Sequence, residues 1–136
     1  MTDSFLVIYL YRIVNALERK TIAICTKHGL TASQFAVLEA LQHKGDLTVG
    51  EVKEAILSST GTIPVVVKNL EKLGYIYRKT DSADERRSIL SLTDAGRELV
   101  EEVFPKNMEM IQQEMSVWNE EEKKQLARLL QKFNRK

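Results

Sequence analysis

Between Asp84 and Gly96 the chain reads Asp84-Glu85-Arg86-Arg87-Ser88-Ile89-Leu90-Ser91-Leu92-Thr93-Asp94-Ala95-Gly96, a charged tip followed by a short apolar segment and a helix start. Just upstream, Tyr75-Ile76-Tyr77-Arg78-Lys79-Thr80 has the β-branched and aromatic character of a strand, and Ser88 to Leu92 reads as its antiparallel partner. The connecting Asp81 to Arg87 segment is too polar to bury, so it forms a projecting tip with two adjacent arginines. An arginine on such a tip can enter a narrow DNA minor groove, where the negative potential is enhanced. Asp84, two residues before Arg86, is placed to orient that guanidinium through a charge-assisted hydrogen bond.

Working back from the hairpin, three helical patterns have clear starts. Thr31-Ala32-Ser33-Gln34 is a capping-box sequence, followed by Phe35, Leu38 and Leu41 on one face. Thr48-Val49-Gly50-Glu51 is a second, leading into Val52, Ala55 and Ile56. After the small-residue turn Ser58-Ser59-Thr60-Gly61, the residues Ile63, Val66, Val67, Leu70 and Leu73 keep helical spacing until Gly74. Helix, turn, helix and two-stranded hairpin, in that order, predict a mostly α fold with a small β-hairpin wing: a winged helix-turn-helix. The helix over about 59–73, second of the pair, is the expected recognition helix.

The start of that helix suits a nucleic acid. Ser59, Thr60 and Thr62 place hydroxyls where helix N–H groups lack partners, a favourable position for phosphate. Thr62 and Pro64 offer apolar contact to a thymine methyl, and Lys68 lies one turn on, within reach of phosphate or a guanine edge.

Residues 30–100 resemble the MarR family of bacterial winged-helix regulators. The resemblance rests on Leu73-Gly74-Tyr75-Ile76-Tyr77-Arg78-Lys79, then Asp84-Glu85-Arg86-Arg87, then Leu92-Thr93-Asp94-Ala95-Gly96. It implies that Arg86 enters the minor groove with Asp84 as its support. It also implies a two-fold homodimer joined through N- and C-terminal helices, acting as a regulator, expected to be a repressor, on a pseudo-palindromic operator in double-stranded DNA. One departure is Pro64, where many relatives carry a DNA-contacting hydroxyl residue.

Composition bounds the alternatives. The chain has 136 residues, one domain's worth, and a net charge of +1. Residues 45–100 hold eight Lys or Arg and nine Asp or Glu, so the expected DNA-binding segment is net −1. Binding then depends on local placement of Lys68, Lys72, Arg78, Lys79, Arg86 and Arg87 on one side. Phe5 to Tyr11 is a seven-residue apolar run ended by Arg12, far short of the roughly 20 residues a membrane span needs. A single cysteine allows no internal disulfide, and a cytoplasmic protein is expected.

The two ends suggest an assembly. Within the expected dimerisation segment 1–29, Phe5 to about Lys27 is helical and apolar on more than one face (Leu6, Ile8, Leu10, Ile13, Val14, Leu17, Ile22 and Ile24), which demands burial on more than one face. In residues 101–136, Pro105 is expected to kink or break a helix capped by Thr93, and Asn119-Glu120-Glu121-Glu122 caps a last helix bearing Leu126, Leu129, Leu130 and Phe133. These segments exceed what one winged domain needs, and pairing them between two chains is the economical solution.

Signals for chemistry are weak. His28 and His43 have no nucleophile or carboxylate at a catalytic spacing, and Cys25 with His28 supplies at most two metal ligands. Neither an enzyme nor a metal or cofactor site is expected. The rival reading is a winged-helix protein-docking module, which needs neither Arg86 at the tip nor hydroxyls at the helix start. A ligand cleft between the terminal helices and the winged domain, often for small aromatic or phenolic compounds, is implied by the resemblance. Tyr9, Tyr11 and Phe35 are candidate lining residues. Cys25 reads first as a small buried hydrophobe. It is also a candidate redox sensor, because a protonated His28 one turn on would favour its thiolate, and some branches of the family sense oxidants through a lone cysteine, although one nearer the helix start. Release from DNA by a small ligand or an oxidant is the expected control.

Overall fold

Four of the described helices are started by a side chain reaching three residues along. Thr31 and Gln34 exchange side-chain-to-backbone hydrogen bonds of 2.9 and 3.0 Å, Thr48 and Glu51 do the same at 2.9 and 3.1 Å, and Asn119 and Glu122 at 2.9 and 2.8 Å. Each reciprocal pair satisfies two N–H groups that the helix itself leaves open, worth about 1 kcal/mol per cap. A computed structural model describes residues 2–56 and 63–134. Its elements are α1 (Asp3–Lys27), α2 (Ala32–Lys44), β1 (Leu47–Thr48), α3 (Val49–Ala55), α4 (Ile63–Lys72), β2 (Ile76–Thr80), β3 (Ser88–Leu92), α5 (Asp94–Met115) and α6 (Glu120–Phe133).

The winged helix-turn-helix is present, with one strand more than the hairpin expected. β3 lies between β1 and β2, antiparallel to both. Leu90 stands opposite Leu47 on one side and Arg78 on the other. β1 is only two residues long, and its Thr48 is also the cap of α3, so the capping box masks the strand in the sequence. α2 sits at the centre of the core, with Phe35, Leu38 and Leu41 packed among Val52, Ile63, Val67, Leu70, Leu90, Val100 and Val103. Each such side chain contributes roughly 1.5–3 kcal/mol by leaving water.

The junction between wing and α5 is tightly built. Gly74, at φ +81°, ends α4: its N–H donates to Glu71 O and the Tyr75 N–H donates to Leu70 O. Thr93 then caps α5 by accepting from the Gly96 N–H at 3.1 Å, while its own hydroxyl donates to Gly74 O at 2.6 Å. Gly96 packs so close to Tyr75 that a Cβ there would lie 2.0 Å from the Tyr75 carbonyl oxygen. The Leu-Thr-Asp-Ala-Gly string thus welds the first turn of α5 to the turn that ends α4.

α5 is one continuous helix through Pro105, so of the kink or break expected there the break does not occur. Pro105 removes one backbone donor, but Val100, Val103 and Asn107 around it are buried and their packing carries the helix past the defect. The terminal helices are less enclosed. Residues 2–12 of α1 and its leading turn are all exposed, and α6 buries no residue against its own chain.

Candidate nucleic-acid interface

The wing tip is an ordered turn rather than a loose loop. The Asp81 N–H donates to Arg87 O at 3.0 Å, the Arg87 N–H to Asp84 O at 3.0 Å, and the Ala83 N–H to the Asp81 carboxylate at 2.9 Å. At its apex the Arg86 side chain is 92% exposed, yet its Nε donates to Asp84 Oδ1 at 3.2 Å and its backbone N–H donates to the same oxygen at 3.0 Å. The Arg86 backbone N–H first, and its side chain second, hold the Asp84 carboxyl below the usual carboxylate range. The guanidinium is presented outward with its direction set.

α4 turns Ile63, Val66, Val67 and Leu70 into the core, which leaves Pro64, Val65, Lys68, Asn69 and Lys72 as one exposed stripe. Val65 is 60% exposed within that stripe. Lys68 and Lys72 have no ion-pair partner among the described residues. The wing cations differ. Arg78 Nε lies 2.8 Å from Glu71 of α4, Lys79 Nζ 2.6 Å from Asp46, and Arg87 Nε 3.8 Å from Asp81. Each basic residue of the wing is therefore held by an acid, which is how a net-negative segment keeps its cations on display.

Between α1, α2 and the end of α3, with Asn107 of α5 beside the smaller part, lies a cleft of two adjoining cavities, of about 490 and 390 Å³. Thr21, Ala32, Ala36 and Ile56 border both; Val14, Leu17 and Ile22 give the larger one apolar walls. Phe35, Glu39, His43 and Asn107 line the smaller one, where burial pushes the Glu39 carboxyl up. Thr21 donates to Asn107 Oδ1 at 2.9 Å and so joins α1 to α5 at the cleft.

Residues 19–103 match the family described as transcriptional regulator SarA/Rot. The HTH-type transcriptional regulator MhqR of Bacillus subtilis (strain 168) is 34% identical over 137 residues, covering 97% of this chain and 92% of MhqR. The chain belongs to the MarR-type winged-helix transcription regulators. S. aureus MepR, solved in complex with DNA, superimposes with a TM-score of 0.81 at 30% identity over 98% of this chain and 96% of MepR. Bordetella bronchiseptica BpsR, whose DNA binding is regulated by 6-hydroxynicotinic acid, is 28% identical, with a TM-score of 0.73 over 93% of this chain and 98% of BpsR.

Within this MarR-type frame the residues singled out from the sequence separate. Pro64, Lys68, Asp84 and Arg86 lie on the α4 stripe and the wing apex. Ser59, Thr60 and Thr62 lie outside the described residues. Arg78 and Arg87 are on the wing, but each guanidinium faces its own carboxylate. Val65 and Asn69, not singled out from the sequence, are exposed on the same stripe, because the buried set at 63, 66, 67 and 70 leaves them on the opposite arc of the helix. Phe35 is buried and borders the cleft. Tyr9 and Tyr11 border neither cavity: they are 45% and 64% exposed on the part of α1 that precedes Ile13, where the helix begins to be covered.

Cys25 has surroundings opposite to those a sensor thiol needs. It is fully buried, and burial first, with the Glu39 charge second, pushes the thiol up. The imidazole of His28 is engaged elsewhere, with Nδ1 3.7 Å from Glu102 and Nε2 3.1 Å from Lys106 Nζ. Among the described residues no group of three His, Cys, Asp or Glu side chains can hold a metal ion, and no helix is long and apolar enough to cross a membrane.

Proposed function

We propose that the chain binds a pseudo-palindromic operator as a homodimer and represses transcription until a small ligand releases it. The observation that carries the DNA reading is the Arg86 side chain, extended into solvent at the wing apex yet held in direction by Asp84. The exposed α4 stripe, with Lys68 and Lys72 beside Val65 and Asn69, supplies what a major-groove helix needs: cations for phosphate and uncommitted groups for base edges. A protein-docking face would not require that combination.

Dimerisation rests on the terminal helices. An amphipathic helix of 14 residues is marginal alone, so α6, with Leu126, Leu129 and Leu130 and no residue buried in its own chain, needs a second surface. Phe5 to Tyr11 of α1 present a further exposed apolar stretch. A second copy satisfies both and sets two α4 helices into successive major grooves. The cleft supports release by a small, largely apolar molecule bearing one or two polar groups, as its walls pair Leu17, Ile22 and Ile56 with Thr21 and Glu39. Oxidant release through Cys25 has no such support, since the thiolate is disfavoured.

The test is selection of duplexes from a random library, followed by footprinting and light scattering of the complex. Two protected half-sites about 34 Å apart and a two-chain mass are expected. A single protected half-site with a one-chain mass would refute the proposal.

A further inference from the structure

Arg78 and Lys79 are consecutive on β2, and consecutive strand residues project to opposite faces. Arg78 meets Glu71 on the last turns of α4, and Lys79 meets Asp46, the residue before β1. Asp46 is tied a second time: the Ser91 hydroxyl of β3, 4% exposed, donates to its Oδ1 at 2.5 Å. The root of the wing is thus gripped from both sides, once by α4 and once by the start of the sheet. Exposed ion pairs of this kind contribute little to folding stability. They also lower the attraction to phosphate, because each acid neutralises a cation on the DNA-facing segment. Their common consequence is geometric: the angle between wing and α4 is set.

We propose that Asp46 and Glu71 are positioning residues for DNA recognition, clamping β2 so that α4 and Arg86 meet one half-site at a fixed separation, with non-specific affinity given up in exchange. This rests on the operator-binding reading above. Charge and geometry predict opposite signs for their removal. Neutralising an acid frees a cation, which by charge alone strengthens binding to any duplex and steepens the salt dependence by about 0.9 per subunit. Loosening the wing weakens binding only where both contacts must register together.

The experiment compares wild type, Asp46→Asn and Glu71→Gln, each with and without Arg86→Ala, on a duplex selected by the wild-type protein and on a random duplex of equal length. The expected result is an operator affinity lowered about tenfold with random-duplex affinity unchanged or raised, and a smaller cost of Arg86→Ala in the loosened backgrounds, since coupled contacts are not additive. A parallel rise on both duplexes would show that the acids only repel phosphate and overturn the proposal. So would no change on either, or a parallel fall accompanied by a lower melting temperature. Glu71→Gln, at a half-buried position outside the sheet, keeps the test decisive where Asp46→Asn disturbs the sheet. Wild-type protein that prefers no duplex would defeat the operator reading and this inference with it; preserved preference with an unmoved ratio defeats this inference alone.

Discussion

Asp84 Oδ1 accepts two hydrogen bonds from Arg86, one from the backbone N–H at 3.0 Å and one from Nε at 3.2 Å. The same oxygen therefore shapes the tip and aims the guanidinium. Arg86→Ala should weaken operator binding by about 1–3 kcal/mol per subunit, and Asp84→Ala by a smaller amount in the same direction. The melting temperature should not move, because the tip is exposed and buries no apolar surface. Affinity titrations at fixed salt check this, and unchanged binding by Arg86→Ala would remove the minor-groove assignment.

On α4 the cationic and uncharged residues should behave differently. Lys68→Ala should weaken binding evenly across sequences and reduce the salt slope by about 0.9 per subunit. Val65→Ala and Asn69→Ala should leave that slope alone and relax base preference at A·T pairs, Asn69→Ala by about 1–3 kcal/mol through a lost amide–adenine pair and Val65→Ala by less, since alanine still offers a methyl to thymine. Library selection with each variant gives the answer; uniform weakening by Asn69→Ala would reassign it to the backbone.

The wing should be insensitive to pH through the neutral range. Asp46 is held low by hydrogen bonds from Lys79 and then Ser91, and Asp84 by those from Arg86. A depressed carboxyl adds stability that is complete above its ordinary value of about 3.9 and is lost as pH falls through the lower folded value. The amide resonances of Arg86 and Ser91 should therefore stay put down to about pH 4 and shift only below it. A midpoint near pH 6 would mean that another group controls the tip.

Gly96→Ala tests the weld between wing and α5. The added Cβ would stand 2.0 Å from Tyr75 O, so backbone must move, at a cost of about 3 kcal/mol. Thermal unfolding should show it, although alanine is the better helix former in isolation. A variant as stable as wild type would mean the junction yields easily.

Peroxide should have the same effect on DNA binding by wild type and by Cys25→Ser. The thiol is buried, burial pushes it up, and the His28 ring is engaged by Glu102 and Lys106. A mobility-shift titration in which only the wild type loses binding, and regains it with a thiol reductant, would make Cys25 a sensor after all.

What was legible in the sequence was local. Thr31, Thr48, Thr93 and Asn119 cap helices through partners three residues away, and a turn bounded by Thr80 and Ser88 pairs the strands on either side of it. Such interactions close within a few residues, so spacing alone specifies them. The tertiary structure decided what distant residues do to one another. Asp46 meets Lys79 and Ser91, β1 joins β3 across forty-odd residues, and α5 passes Pro105 because its neighbours are packed. Packing likewise decided that Cys25 is fully buried and that Tyr9 and Tyr11 border neither cavity. Periodicity says which face of a helix is apolar, but only the packing of α1 against α2 and α5 determines where along its length that face is covered.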